Sequence, residues 1–169
     1  MCGIVAAVSS RDVVSTLLEG LHRVEYRGYD SAGISLVSGD VIDSRRAVGK
    51  LSALKDLVAE QPIAGATGIG HTRWATHGKA TIANAHPHGT KQVSVVHNGI
   101  IENFQELKAE CLGQGLTFDS DTDTEVVAKL LDLALSQGMP PFDAFQHVLK
   151  KLEGAYALAV IFAQDNGLI

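Results

Sequence analysis

A cysteine follows the initiator methionine directly and leads into an apolar run of strand length, and this start constrains the fold more than any other stretch. Cys2 and Gly3 precede the apolar residues 4–8, which predicts a buried strand over residues 2–8 that would fix the N-terminus in the core. Removal of Met1 would give Cys2 a free α-amino group, which can serve as the base for its own thiol. The competing interpretation is a small buried hydrophobe, the common fate of a free cysteine.

The order of the predicted elements favours an α+β fold over a doubly wound sheet. Asp12 is a plausible N-cap for the first helix, and Thr122 with Glu125 forms a capping-box pattern. Because strands come first, helices follow and one strand closes the chain, we expect helices packed on antiparallel sheets. Apolar periodicity predicts strands over residues 2–8, 34–37, 41–42, 93–97 and 155–163, and helices over residues 13–24, 51–58, 102–112, 122–133 and 142–152.

Composition and charge predict one soluble, cytoplasmic domain. The 169 residues are 46% hydrophobic and 20% charged, which is typical of a globular protein with a real core. A net charge of −5 without a basic block argues against a nucleic-acid partner. The sequence has neither an apolar run of membrane-spanning length nor a secretory signal. Two cysteines, Cys2 and Cys111, are typical of a reducing compartment, and Cys111 is expected to be structural.

Two segments interrupt the periodic pattern, and each has a structural and a chemical interpretation. Arg27 and Gly28, flanked by two tyrosines, form either a surface turn with a solvated ion pair or a packed loop. Asn98 and Gly99 follow an apolar strand, and an Asn-Gly pair most often makes a tight turn. The chemical interpretation of the second pair is an oxyanion hole, built from the Asn98 amide and the Gly99 backbone N–H.

Charged residues elsewhere could bind the two ends of an amino acid. Arg73, beside Trp74, can hold a carboxylate through two hydrogen bonds, although an arginine covered by an aromatic ring is common. Asp123 can bind an ammonium group, although complementarity to a helix dipole explains it equally well. A nucleophile, a base, an oxyanion hole and two anchors together fit glutamine, which presents a carboxylate, an ammonium group and a reactive amide.

Five histidines suggest a metal, but their spacing supports this only weakly. None of the cysteines has the spacing of a ligand pair, and isolated histidines more often serve as hydrogen-bonding groups in cores and loops. We therefore expect no metal, and a metal-binding protein stays an alternative. The histidines concerned are His71, His77, His86, His88 and His97.

Six sequence blocks resemble the glutaminase domain, a class II glutamine amidotransferase, of the glucosamine-6-phosphate synthase family, the isomerizing glutamine–fructose-6-phosphate aminotransferases. The Arg-Gly-Tyr-Asp and Arg-Trp-Ala-Thr-His-Gly motifs favour this family over the related amidophosphoribosyltransferases and asparagine synthetases. The blocks follow the family order over most of the chain and comprise residues 2–5, 26–33, 71–78, 84–88, 96–103 and 122–125.

The resemblance implies an N-terminal-nucleophile hydrolase fold, an αββα sandwich of two antiparallel sheets between helix layers. It implies that Cys2 attacks the side-chain amide of glutamine while its own α-amine moves the proton. Asn98 and Gly99 resemble the family's oxyanion hole, with Gly99 also among the glutamine-binding residues. Arg27 and Gly28 resemble the residues beside the nucleophile.

The same resemblance implies a glutamine pocket. Arg73 resembles the carboxylate anchor and Asp123 the ammonium anchor, while Thr76 and His77 complete the pocket. Trp74 resembles part of a loop that closes over the substrate. Neither a metal nor an organic cofactor is expected.

In the family, the released ammonia passes to sugar-phosphate isomerase domains of the same chain, which convert fructose 6-phosphate into glucosamine 6-phosphate. The full-length enzyme is expected to form a homo-oligomer. Since the sequence stops at Ile169, we expect residues 1–169 to be a C-terminally truncated domain with an unpaired sheet edge. We also expect no activity while Met1 is attached, because an amide nitrogen cannot accept the proton. Alternatives are another N-terminal-nucleophile amidohydrolase and a glutamine-sensing module without turnover.

Overall fold

A computed structural model of the protein describes residues 2–74 and 79–168. The strands are β1 (Gly3–Val8), β2 (Ser31–Ser38), β3 (Val41–Val48), β4 (Thr67–Arg73), β5 (His88–Gly89), β6 (Val93–Ile101), β7 (Gly154–Phe162) and β8 (Asp165–Leu168). The helices are α1 (Val14–Val24), α2 (Leu51–Glu60), α3 (Phe104–Gly113), α4 (Thr124–Ser136) and α5 (Pro141–Leu149), with a 3-10 helix at Glu25–Arg27.

The strands form two antiparallel sheets that pack face to face between helices. One sheet has the order β1-β4-β2-β3 and the other the order β5-β6-β7-β8. Helices α1 and α2 cover the outer face of the first sheet, and α4 covers the outer face of the second, with α3 and α5 packed against α4. The predicted α+β class and the αββα layering are therefore confirmed.

Three apolar layers hold these elements together. One lies between the first sheet and its helices and includes Leu17, Leu21 and Leu54, all completely buried. The second lies between the other sheet and its helices and includes Leu131 and Phe162. The third lies between the two sheets and is composed of Val37, Ile42, Ile69, Val96, Ala159, Ile161 and Ala163.

The period of two along each strand decides which side chain enters which layer. In β6, Val93 and Val95 belong to the layer beneath the helices, whereas Val96 belongs to the layer between the sheets. Ser94 is also directed between the sheets, where its Oγ donates to Ser35 Oγ at 2.9 Å. By the same alternation Asn98 faces the opposite sheet, which brings it to the side where Cys2 lies.

Strand β6 does not end at Asn98, so the tight-turn interpretation of the Asn-Gly pair is wrong. The strand continues to Ile101 and pairs with β7 throughout, with Asn98 opposite Ala157 and Gly99 opposite Tyr156. Gly99 adopts φ +117°, and a Cβ there would lie 2.2 Å from the Ala155 carbonyl oxygen. Pairing with a long neighbouring strand outweighs the local turn preference of Asn-Gly.

The predicted helix starts need correction. Val13 occupies the N-cap position of α1, while the Asp12 carboxylate accepts the Val14 N–H at 3.2 Å. The capping box before α4 does not form, because Glu125 instead accepts hydrogen bonds from the loop that precedes the helix. Its carboxylate is needed there to satisfy the N–H and hydroxyl donors of a buried loop.

The remaining differences concern element length. The β2–β3 hairpin has eight residues on each side instead of the shorter predicted segments, and α5 ends at Leu149, three residues before the predicted 152. Such boundaries depend on pairing and packing rather than on local sequence. Among the residues that the structure describes, no helix combines the length and apolarity that crossing a membrane requires.

Candidate active site

A cleft of about 140 Å³ opens at one end of the sandwich, where β1, β4 and β6 approach the start of α4. Five residues predicted from the sequence line this cleft: Cys2, Arg73, Trp74, Gly99 and Asp123. They are distant in sequence and come from both sheets. Their convergence is the main agreement between the sequence analysis and the structure.

Cys2 lies at the cleft rather than in a core layer. The residue that follows it, Gly3, pairs with Thr72 of β4, which places Cys2 beside the end of that strand. The Trp74 backbone N–H donates to Cys2 Sγ at 3.3 Å. The Cys2 side chain is partly exposed, whereas Cys111 is buried and its thiol pKa is raised by that burial. The buried-hydrophobe interpretation therefore applies to Cys111 and not to Cys2.

Asn98 and Gly99 belong to the same wall. The Asn98 side-chain amide donates through Nδ2 to the Cys2 carbonyl oxygen at 3.3 Å. Gly99 lines the cleft directly. The Asn98 amide thus lies next to the backbone of the thiol-bearing residue, and Gly99 lies at the cleft beside it. The oxyanion hole itself stays a prediction.

The segment with Arg27 and Gly28 is a packed loop, not a loose surface turn. A Cβ on Gly28 would lie 2.6 Å from the Arg73 carbonyl carbon, so only glycine fits against the end of β4. The Asp30 N–H donates to the Arg73 carbonyl oxygen at 3.1 Å, and the Tyr29 ring meets Trp74 edge to face at 5.2 Å. Gly28 thus packs against the wall that carries Arg73 and Trp74, and neither Arg27 nor Gly28 is among the residues that line the cleft.

The cleft is lined by one arginine, Arg73, and by two aspartates, Asp121 and Asp123. Arg73 is 4% exposed, and its Nη1 lies 3.9 Å from Asp30 Oδ1. Asp123 occupies the N-cap position of α4 but makes no side-chain bond to its own helix. Its Oδ2 accepts the Ile101 N–H at 3.0 Å instead. Asp123 therefore lies where the helix dipole favours a carboxylate and is also held at the cleft by β6, so both interpretations of this residue stay open.

Two predicted pocket residues, Thr76 and His77, lie outside the described residues, as does Met1. Trp74 lies at the edge of the described segment and is 45% exposed. Its predicted role in closing over a substrate stays a prediction.

Several cleft residues were assigned no role from the sequence, although Ile100 and Thr124 lie within two of the family blocks. Phe104 and Ile100 contribute an apolar side of the cleft, and their side chains carry no chemical group that would mark them as site residues. The Thr124 hydroxyl is hydrogen-bonded to His86 Nε2 at 2.8 Å and to His97 Nδ1 at 2.9 Å. The positions of these histidines could be read from the sequence, but their shared partner could not.

The buried histidines form a neutral cluster at the cleft, and two of them, His86 and His97, line it. The His71 and His86 rings stack at 4.3 Å, and His86 meets His88 edge to face at 4.7 Å. Burial lowers the pKa of His71 to about 4 and that of His88 to about 3, and burial also lowers the pKa values of His86 and His97. Across residues 2–74 and 79–168, no three His, Cys, Asp or Glu side chains are arranged to hold a metal ion.

With this geometry established, comparison with known proteins identifies the family. The sequence profile of the glutamine amidotransferase domain matches residues 71–169, more than half of the chain. The chain belongs to the glutamine amidotransferase domain family.

The curated relatives of this amidotransferase domain are longer proteins. The chain is 55% identical over its whole length to a glutamine–fructose-6-phosphate aminotransferase (isomerizing) of Caulobacter vibrioides, and 54% identical to one of Zymomonas mobilis. In both comparisons the match covers 28% of the relative. The resemblance found in the sequence blocks is thus confirmed over the whole chain.

Solved structures confirm the fold. The glutamine phosphoribosylpyrophosphate amidotransferase from B. subtilis, complexed with ADP and GMP, superposes with TM-score 0.78 at 26% identity, covering 96% of this chain and 35% of that one. A structure described as the allosteric regulatory enzyme of purine biosynthesis gives TM-score 0.80 at 27% identity, with the same coverage. The amidotransferase domain therefore has the N-terminal-nucleophile fold of these enzymes.

Proposed function

We propose that this domain hydrolyses the side-chain amide of L-glutamine to glutamate and ammonia, with Cys2 as nucleophile. The observation that carries the proposal is the convergence of Cys2, Arg73 and Asp123 at one cleft, with the Asn98 amide bonded to the Cys2 carbonyl oxygen. Glutamine has one group for each of these residues: a reactive amide, a developing oxyanion, a carboxylate and an ammonium group. Membership of the amidotransferase family supports the same reaction.

The chemistry requires that Met1 is removed, so that the α-amine of Cys2 is free. The amine takes the thiol proton as Sγ bonds to the amide carbon, and the oxygen becomes negative. Asn98 Nδ2–H and the Gly99 N–H stabilise that oxygen. When the C–N bond breaks, the amine returns its proton to the leaving nitrogen, which departs as ammonia. Water then adds to the thioester carbon, and the C–S bond breaks to give glutamate and the free thiol.

The charged anchors select the substrate. Arg73 holds the α-carboxylate and Asp123 holds the α-ammonium group, which leaves the side-chain amide directed at Cys2. Thr76 and His77 complete this pocket, and Trp74 covers it. Gly28 keeps the end of β4 close to the nucleophile, as its packing against Arg73 supports, and Arg27 precedes it beside the nucleophile.

The wider role rests on the longer relatives. We propose that residues 1–169 are part of a glutamine amidotransferase domain whose ammonia serves glucosamine 6-phosphate synthesis from fructose 6-phosphate. In a full-length protein, sugar-phosphate isomerase domains of the same chain would receive the ammonia, and the protein would be a cytoplasmic homo-oligomer. The curated relatives carry the corresponding name and are more than three times as long as the match.

Matched substrate analogues test the two anchors separately. Glutaramic acid is glutamine without the ammonium group, and 4-aminobutanamide is glutamine without the carboxylate. Asp123→Asn should lower kcat/KM for glutamine about 10–100-fold, the value of a hydrogen bond to a charged group, and leave glutaramic acid unaffected. Arg73→Gln should lower kcat/KM for glutamine by a similar factor and leave kcat/KM for 4-aminobutanamide unchanged.

The outcomes of this experiment separate the alternatives. Full activity of both variants on glutamine would indicate an amidohydrolase for a different amide. Tight glutamine binding by the unsubstituted chain without ammonia release would indicate a sensing module. Ammonia release can be measured with a coupled assay on the 169-residue chain after Met1 removal.

A further inference from the structure

We propose that His71, which does not line the cleft, is a positioning residue that fixes the Asn98 amide in the orientation required of an oxyanion-hole donor. The inference rests on the proposed function, because it concerns how the same reaction is catalysed. Two observations support it. His71 Nε2 is hydrogen-bonded to two oxygens, one of which is Asn98 Oδ1, and the other end of the same amide, Nδ2, is hydrogen-bonded to Cys2.

The hydrogen-bond partners of Nε2 determine which nitrogen of His71 carries the proton. Nε2 lies 3.1 Å from the His97 carbonyl oxygen and 3.0 Å from Asn98 Oδ1. A carbonyl oxygen can only accept, so Nε2 must be the donor. Nδ1 of His71 is buried and has no hydrogen-bond partner among the described residues. A proton on Nδ1 would leave a buried donor unsatisfied, which makes the Nε2–H form the favoured one.

This donor in turn fixes the Asn98 amide. With Oδ1 accepting from His71, Nδ2 faces the other way and donates to the Cys2 carbonyl oxygen at 3.3 Å. Rotating the amide by 180° would place an NH₂ group against the Nε2–H and an oxygen against the Cys2 carbonyl oxygen. Both contacts would become repulsive, so the Nδ2–H groups stay on the nucleophile's side.

The surroundings of His71 hold the imidazole rigid and neutral. His71 lies on β4 and is completely buried. Its ring stacks on that of His86, whose Nε2 is hydrogen-bonded to the Thr124 hydroxyl at 2.8 Å. Because the Asn98 donor is oriented before substrate arrives, no reorganisation is needed as the oxyanion forms. The contribution of His71 should therefore appear in kcat and not in KM.

Two substitutions separate positioning from packing. His71→Gln places an N–H donor near the position of Nε2, whereas His71→Leu removes the donor. We expect His71→Leu to lower kcat about 10–100-fold with little change in KM, and His71→Gln to keep most of the parent kcat. An equal loss in both variants, or a loss confined to KM, would overturn the proposal.

A double-mutant cycle tests whether the effect passes through Asn98. Asn98→Ala should lower kcat about 100–1,000-fold. Adding His71→Leu to that variant should change kcat by less than about twofold, because the group that His71 positions is already gone. If His71→Leu costs as much in the Asn98→Ala background as in the parent, His71 does not act through Asn98.

A spectroscopic readout keeps the proposal testable even if a variant fails to fold. The ¹⁵N shifts of the His71 ring in the unsubstituted chain at pH 7 should show a protonated Nε2 and a bare Nδ1. A protonated Nδ1 would overturn the inference whatever the kinetics show. If the unsubstituted chain releases no ammonia from glutamine, the proposed function fails, and the spectrum still tests the Nε2–H donor on which the positioning of the amide depends.

Discussion

The two ends of the space between the sheets differ in chemistry, although the same strands build both. Along the inward face of β4, Ile69 is followed by His71 and then by Arg73, so the face changes from apolar to neutral polar to charged within five residues. On β6 the apolar Val96 is followed by Asn98. Stability thus depends on the apolar end, and the proposed chemistry depends on the polar end.

Hydrogen bonds offset part of the cost of burying the polar end, although Nδ1 of His86 and Nε2 of His97 have no hydrogen-bond partner among the described residues. Three hydroxyl and imidazole contacts at 2.8–3.0 Å link His86, His88 and His97 to Thr122 and Thr124. A buried polar group costs free energy unless it finds a partner. Substitutions at the two ends should therefore have separable effects, on activity at one end and on stability at the other.

The largest expected effect is on activity at the polar end. Cys2→Ala should reduce glutamine hydrolysis by on the order of 10³-fold or more, because the only proposed nucleophile is removed. The thermal midpoint should stay close to that of the parent, since Cys2 lies at the cleft and not in a core layer. Cys111→Ala is the matched control and should retain kcat. If Cys2→Ala keeps its activity, Cys2 is not the nucleophile and the reaction does not take place at this thiol.

The next largest effect is on stability at the apolar end. Ile69→Ala should lower the free energy of unfolding by about 2–5 kcal/mol, because it leaves a cavity between the sheets. The kcat of the folded fraction should be unchanged. Urea unfolding and single-substrate kinetics on the same preparation measure both quantities.

Val41→Thr serves as the control for that experiment, because Val41 is 45% exposed on β3. Val41→Thr should change the free energy of unfolding by no more than about 0.5 kcal/mol. A large drop in kcat for Ile69→Ala would show that the two ends are coupled.

The smallest effect, about 1.4 kcal/mol for each pH unit, concerns the acid sensitivity of the polar end. Burial lowers the pKa of His88 to about 3, helped by Arg46 and opposed by Glu125. Above the unfolded pKa of about 6.5 neither state is protonated, so stability is complete there. Below that pH, His88 is protonated in the unfolded chain but stays neutral in the folded one. The free energy of unfolding therefore falls by about 1.4 kcal/mol per pH unit for this group as the pH drops toward 3.

Urea unfolding at several pH values between 6.5 and 4.5 measures this slope. His88→Gln should reduce the slope. Equal slopes in the parent and in His88→Gln would show that His88 does not contribute to the acid sensitivity.

The order of elements and the helix periodicity were sufficient to predict the α+β class, because apolar repeats report directly which faces are buried. The cleft residues were predicted from their chemistry, as Arg73 and Asp123 illustrate. Which residues meet there could be derived only from the family resemblance, since strand register determines it. Nothing local in the sequence pairs Gly3 with Thr72 and so brings Cys2 to Trp74.

Where the sequence analysis failed, tertiary contacts outweighed local preference. Asn98-Gly99 has the composition of a turn, but pairing with β7 keeps the segment extended. Glu125 has the spacing of a capping box, but its carboxylate accepts hydrogen bonds from the loop before α4 instead. The link from His71 to Asn98 joins two strands of different sheets, and no spacing along the chain could indicate it.

The central claim is that Cys2 is an N-terminal nucleophile facing a glutamine-shaped cleft. Intact-mass spectrometry before and after treatment with 6-diazo-5-oxo-L-norleucine, an electrophilic glutamine analogue, tests it most directly. The account predicts loss of Met1 and one adduct, mapped to Cys2 and suppressed by excess glutamine. Loss of Met1 without an adduct, or an adduct on Cys111, would contradict it.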